Sequence, residues 1–222
     1  MRKYTEKKNN NLNFVISTGA VLFSLLANFV ALWSLYITNK MLRAFSEYSS
    51  YYSGFATYMA YANAIWDAWE ESYGKYMNRL DRDLVLREIY DISQRYRFDP
   101  VLVLSIVFVE SRGNPRAISV AGARGLMQIM PSTFNLYARS NRIFDPVINV
   151  RVGTSYLKDL LLRYRNFNAV IIHYNGGSKA LRYLPKETKM YISRVQKTYK
   201  VFSSGDFNLV SDFIENTAKG EW

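Results

Sequence analysis

Hydrophobic and polar positions divide the chain into three patterns. From residue 14 to residue 37 no charged residue occurs. Asn28 is the main polar interruption there, with Ser17, Thr18, Ser24 and Ser34 as smaller ones. At a rise of about 1.5 Å per residue, a helix of this length crosses a hydrocarbon layer about 30 Å thick. Trp33 and Tyr36 stand near its far end, where amphipathic aromatics favour the membrane interface. The run exceeds the ~7–15 apolar residues of a cleaved signal peptide, and Leu35-Tyr36-Ile37-Thr38 makes a poor cleavage site. A retained transmembrane helix over 14–37 is therefore expected. Arg2, Lys3, Lys7 and Lys8 precede it, with Glu6, and Lys40 and Arg43 follow. This basic bias predicts a cytoplasmic tail at 1–13 and an extracytoplasmic location for everything after residue 38.

The second pattern is aromatic. Phe45, Tyr48, Tyr52, Phe55, Met59, Ala62, Trp66, Trp69, Tyr73, Tyr76 and Leu80 recur in steps of three and four. That is a heptad seam over about five repeats, which predicts a helical stalk at 38–80. Tyr51, Tyr58 and Ile65 widen the stripe on one side, and Gly54 and Gly74 weaken the helix. A stripe of this kind has three uses. It packs on the chain's own domain, it serves self-association or a protein partner through residues 45–80, or it lies along a bilayer. Aromatics fit poorly into the tight holes of a two-stranded coil, so the pattern does not establish a dimer.

The third pattern consists of shorter helices over 81–200. Leu84, Ile89 and Ile92 mark the first. Asp99-Pro100 combines an N-cap with a proline at the first helical position, and Asp145-Pro146 repeats that signal. The first of these starts opens Val101–Ser111, apolar nearly all round and so expected to be buried, ending near Gly113 with Pro115 beyond. The second opens a helix carrying Val147, Val150, Tyr156, Leu157, Leu160, Leu161 and Tyr164. Short helices follow around Asn168–His173 and from Lys186 to Tyr199. No segment alternates convincingly as a strand, apart from a candidate hairpin at Gly122–Ile129. The fold class is mainly α, and 201–222 reads as a C-terminal tail with weak structural signals.

Composition narrows the chemistry. The 222 residues are 49% apolar, with a formal net charge of +11, no cysteine and one histidine. Disulfides and thiolate metal sites are excluded. His173 alone cannot build a multi-histidine centre, and no carboxylates are spaced around it for a metal. The positive charge favours anionic material such as nucleic acid, phospholipid or cell-wall polymer, without choosing among them. No nucleic-acid-binding motif is present, so nucleic acid is not an expected partner.

Glu110 stands apart. It closes the apolar helix that begins at Val101, where a carboxylate is costly without a purpose or a partner. Apolar surroundings and the negative end of the helix dipole both raise its pKa. A carboxylic acid protonated near neutral pH suits protonation of a glycosidic leaving oxygen. By itself the residue reads more readily as a buried glutamate paired with Arg112, Arg124 or another base.

The surrounding motifs alter that balance. Glu110-Ser111 is followed by a run from Ser119 through Gly125-Leu126-Met127-Gln128 to Thr133. Then come Asn149 to Gly153 with Tyr156-Leu157, Tyr174-Asn175-Gly176-Gly177, and Glu187-Thr188 leading to Tyr191. This ordered set, over roughly 81–200, resembles the family 1 (soluble-type) lytic transglycosylases of glycoside hydrolase family 23. The resemblance implies a lysozyme-like, mainly helical fold with a groove for a peptidoglycan glycan strand. It makes Glu110 the catalytic acid and base, and Ser111, Met127, Gln128, Tyr174, Asn175 and Tyr191 the substrate-binding residues. His173 and Gly176 depart from the family's commonest form, which has alanine at both places. The implied reaction cleaves the bond between N-acetylmuramic acid and N-acetylglucosamine, closes a 1,6-anhydro ring and uses neither metal nor organic cofactor. A hydrolytic muramidase on the same fold and a non-catalytic wall-binding scaffold are the alternatives. The predicted topology places this domain, through its single-pass anchor in the cytoplasmic membrane, on the side where peptidoglycan lies.

Overall fold

In the computed structural model the backbone of residues 2–221 and the side chains of residues 20–221 are described. The expected basic tail at 1–13 and the first residues of the expected membrane span therefore lie outside the side chains described. The chain divides into two compact units, one up to Gly54 and one from Phe55 onward.

The first unit belongs to helix α1 (Arg2–Tyr73). Among the described residues this is the one helix long and apolar enough to cross a membrane. Its best window has a mean hydropathy of 2.0, and none of that window is buried. Leu22, Phe23, Leu26, Phe29, Val30 and Trp33 are all exposed.

The second unit contains the end of α1 and seven further helices. These are α2 (Arg79–Tyr96), α3 (Pro100–Ser111), α4 (Pro131–Tyr137), α5 (Pro146–Tyr164), α6 (Phe167–Ala180), α7 (Lys186–Phe202) and α8 (Phe207–Ala218). The described residues contain no strand. The expected hairpin is instead a chain of turns with two isolated bridges, Ile118 to Arg124 and Arg124 to Ile129. Asp99 and Asp145 cap as expected, accepting from the backbone N–H of Val101 and Ile148. Helix α3 stops because Arg112 turns left-handed, φ 51°, and Gly113 follows at φ 73°.

Helix α3 is the centre of the core. Val103, Leu104, Ile106, Val107 and Phe108 are wholly buried, with α2 and α7 packed on either side. The end of α1 completes this core. Trp66 and Trp69 stack with centroids 4.7 Å apart, and Trp69 meets Phe108 edge-on at 4.6 Å. Gly113 is small because a Cβ there would lie 3.2 Å from the Trp66 ring. Arg82 is buried and paired with Asp67 at 2.6 Å and Glu70 at 3.4 Å, so α2 is fastened to α1. The Tyr61 hydroxyl donates to the Phe202 carbonyl at 2.8 Å.

The folded unit is thus wider than residues 81–200 at both ends. The second half of the aromatic stripe is core: Ala62, Ile65, Trp66 and Trp69 are buried by this domain itself. The stripe also breaks, since α1 ends at Tyr73 and Asn78 caps a separate α2 by accepting from the Asp81 N–H. Within the segment 201–222, α8 is capped by Asp206, which accepts from the Asn208 and Leu209 N–H groups, and buries Val210, Phe213 and Ile214. Phe213 joins Phe108 and Phe202 in the aromatic core. Truncating Trp69 to alanine is expected to cost about 3–5 kcal/mol, as for large aromatics in a well-packed core. Thermal unfolding of the variant checks this.

Candidate active site

Glu110 sits in the last turn of α3, the point where the buried helix emerges. Helix α7 packs on α3 and brings Tyr191 to it. The Tyr191 hydroxyl donates to Glu110 Oε1 at 2.5 Å, and Tyr191 itself is buried. Burial pushes the Glu110 carboxyl from an ordinary 4.5 up to about 8, while the Tyr191 hydrogen bond pulls it part of the way back. Desolvation wins because one hydroxyl cannot replace the water a carboxylate needs. At neutral pH the site therefore holds a carboxylic acid with a proton to give. The arginines of the alternative reading do not pair with it: Arg112 lies over the Tyr73 ring and Arg124 over the Phe144 ring.

Tyr174 comes from α6. Its hydroxyl donates to the Met127 carbonyl at 2.9 Å. Its pKa is raised by burial and then by the charge of Glu110, which puts the two groups in one electrostatic neighbourhood. Tyr191 is raised for the same two leading reasons. Asn175 follows Tyr174 and is exposed, just ahead of the break that Gly177 makes at φ 67°. Ser111 is half-buried, with its hydroxyl turned back to the Val107 carbonyl at 3.1 Å.

The segment 125–128 is held by a buried brace. Asn149 on α5 accepts from the Met127 N–H at 2.8 Å, and donates to the Arg124 carbonyl at 3.0 Å and the Ile143 carbonyl at 2.8 Å. Gly125 has φ 80°, and a Cβ on it would lie 2.4 Å from the Asn149 amide. Gln128 sits at φ 47°. Its Nε2 donates to the carbonyls of Ala117 at 3.1 Å and Gly125 at 2.9 Å, which closes the turn. Met127 is placed differently from what the motif implied. Its side chain is wholly buried, against Gly153 and 3.8 Å from the Thr154 hydroxyl. Its backbone carbonyl is the group that accepts from Tyr174.

Glu110, Tyr191 and Tyr174 are therefore brought together. Gln128 and Met127 act through the turn, and Ser111 and Asn175 flank the acid and the tyrosine. Asn149 and Gly153 were visible as motif positions but carried no role. The signal available for Asn149 was a polar residue amid the apolar positions of its helix. Asn149→Ala would leave the Ile143 carbonyl and the Met127 N–H unpaired, while the Arg124 carbonyl keeps the Ile129 N–H, and is expected to cost about 2–4 kcal/mol. Gly125→Ala is expected to cost at least as much, because the clash adds to the strain of φ > 0. Chemical denaturation of each variant checks both values.

Residues 88–195 match the family described as Transglycosylase SLT domain. The chain is 40% identical over 105 residues to a transglycosylase of Enterobacteria phage PRD1, covering 47% of this chain and 39% of that protein. It is 34% identical over 126 residues to membrane-bound lytic murein transglycosylase E of Buchnera aphidicola, covering 49% and 57%. Membrane-bound lytic murein transglycosylase C of Actinobacillus succinogenes is 35% identical over 137 residues, covering 51% and 38%. The chain thus spans less than two thirds of the length of each of these relatives. Among solved structures, the complex of the 70-kDa soluble lytic transglycosylase with bulgecin A aligns with a TM-score of 0.51 at 25% identity. That alignment covers 66% of this chain and 29% of that one.

Proposed function

We propose, on the premise that residues 88–195 are a transglycosylase SLT domain of lysozyme-like fold, that this chain is a membrane-anchored peptidoglycan lytic transglycosylase. The observation that carries the reading is Glu110: an acid in a partly buried site, protonated at neutral pH and held at 2.5 Å by a buried tyrosine. It lies inside the matched domain. The exposed apolar helix near the N-terminus supplies the anchor. That helix, in the cytoplasmic membrane with the domain on the periplasmic or other extracytoplasmic side, brings Glu110 to its substrate.

In this mechanism Glu110 gives its proton to the glycosidic oxygen between N-acetylmuramic acid and N-acetylglucosamine. The bond from that oxygen to C1 breaks, and the muramoyl N-acetyl oxygen stabilises the positive charge developing at C1. Glu110, now ionised, takes the proton of the same sugar's 6-hydroxyl. That oxygen closes on C1, giving a 1,6-anhydro ring without consuming water. An intramolecular nucleophile benefits from a high effective concentration. Ordinary glycosidases use two carboxylates across the scissile bond. Here Asp145 is engaged as a helix cap and by Arg142, and Asp159 accepts from the Tyr137 hydroxyl at 2.8 Å. Glu110 therefore serves as acid and then as base, with Tyr191 setting its position. Ser111, Gln128 and Asn175 supply polar contacts to the strand.

Clearing of purified peptidoglycan by the full chain tests the reading, and its pH dependence tests the site. The reaction needs the protonated acid, so kcat/KM should fall on the alkaline side with an apparent pKa near 8. Tyr191→Phe removes the one interaction that lowers the Glu110 pKa, so the alkaline limb should move to higher pH. The rate at neutral pH should fall about 10–100-fold because the carboxyl loses its anchor. An alkaline limb that Tyr191→Phe leaves unmoved would separate it from Glu110.

A further inference from the structure

His173 is the position where the chain departs from the commonest form of its motif, and its surroundings give it a use. The imidazole is half-buried. Its Nδ1 shares a hydrogen bond with the Tyr164 hydroxyl at 2.8 Å, and the two rings lie 5.4 Å apart. This fixes the ring and leaves Nε2 as a single polar atom of known character. It is a donor when Tyr164 gives the shared proton and an acceptor when Nδ1 does. Nε2 has no protein partner among the described residues, and it is not among the sealed, unsatisfied polar atoms, so it reaches solvent.

The ring also belongs to a row. Tyr156 meets His173 edge-on at 6.3 Å and Tyr174 at 5.5 Å, and Tyr137 lies 6.1 Å from Tyr156. Tyr137, Tyr156, Tyr164 and His173 are all half-buried, so each keeps an exposed part. The row ends at Tyr174, which like Tyr191 lies within the electrostatic reach of Glu110. An aromatic surface with one outward polar nitrogen complements an N-acetylated sugar ring, which offers an apolar C–H face beside an amide and hydroxyls.

We infer that His173, braced by Tyr164 and flanked by Tyr156, is a glycan-contacting residue that binds a neutral N-acetylhexosamine unit of the strand next to the cleavage site. The inference rests on the peptidoglycan reading above. Burial and the nearby Arg163 both depress the His173 pKa. The ring is therefore neutral at neutral pH, which suits a sugar amide or hydroxyl better than a stem-peptide carboxylate.

The chain's single histidine gives an unambiguous probe. The full, untagged chain in detergent, carrying Glu110→Gln so that sugar is not consumed, is titrated with the hexamer of N-acetylglucosamine while the imidazole resonances are followed. They should shift saturably. His173→Ala should weaken hexamer binding roughly 5–10-fold, and His173→Gln should recover most of it. With Glu110 intact, His173→Ala should raise KM on peptidoglycan by a similar factor while kcat changes about twofold or less. An imidazole signal that does not move at saturating hexamer overturns the inference. So does a His173→Ala variant that lowers kcat and melting temperature together without changing affinity, since that is a structural role. If the chain binds hexamer and clears peptidoglycan but His173 is indifferent, this inference alone fails. If it does neither, the peptidoglycan reading fails and takes this inference with it.

Discussion

Glu110→Gln should reduce peptidoglycan cleavage on the order of 10³-fold while leaving the fold intact. The substitution removes only a transferable proton. Gln keeps an oxygen to accept from the Tyr191 hydroxyl, so the bond observed at 2.5 Å has a counterpart. A loss of this size with an unchanged far-ultraviolet spectrum separates chemistry from structure. The same variant makes a second, oppositely signed statement about stability. The folded-state pKa of Glu110 is raised from 4.5 to about 8, so the folded chain holds this proton more tightly than the unfolded chain. Below about pH 4.5 both states are protonated and the group contributes no penalty. Between about pH 4.5 and 8 the unfolded chain ionises this carboxyl while the folded chain keeps it protonated, so stability falls progressively, and above about 8 the loss levels off. Glu110→Gln should therefore melt near the native temperature at pH 5 and several degrees above it at pH 9. A variant that melts lower at both pH values would mean that the carboxylate holds the structure together.

The second large effect concerns where the domain begins. A chain starting at residue 81 should fail to fold, whereas one starting at residue 55 should unfold cooperatively. Residues 55–80 supply Trp66 and Trp69 to the ring cluster around Phe108, and Asp67 and Glu70 to the buried Arg82. Each lost tryptophan is worth about 3–5 kcal/mol. Losing both is comparable to the whole stability of an ordinary domain, roughly 5–15 kcal/mol. Calorimetry of the two truncated chains reads the difference. A cooperative transition in the chain beginning at 81 would show that the tryptophan helix is dispensable packing.

These two effects mark what was legible in the sequence and what was not. The helix of Glu110 was legible because cap, proline, apolar run and stop fall in order on one short segment. The site was legible as ordered motifs, and the structure brings Glu110, Tyr174 and Tyr191 together from α3, α6 and α7. The aromatic stripe was less so. Periodicity reports that one face of a helix is covered, but not by what, and a single seam from Phe45 to Leu80 conceals a break at Tyr73. Its first part is exposed, and the part from Ala62 to Trp69 is core. Helices α4 and α8 are short, and their helical state depends on tertiary packing of Phe134 and of Phe213. Met127 illustrates a different difficulty. A motif names positions, not which atom of each faces the groove, and here the side chain goes inward while the carbonyl meets Tyr174. The pairing of His173 with Tyr164 joins two helices and has no local sequence signal.

The central claim is that one carboxyl group, acting first as acid and then as base, cleaves the glycan by closing the sugar on its own 6-hydroxyl. Mass spectrometry of the muropeptides released by the full chain tests it most directly. Fragments lacking one water at the muramoyl end are the predicted product. Fragments with ordinary reducing ends, convertible by borohydride, would mean that water attacks, and would contradict the assignment of both proton transfers to Glu110 without a second activated nucleophile.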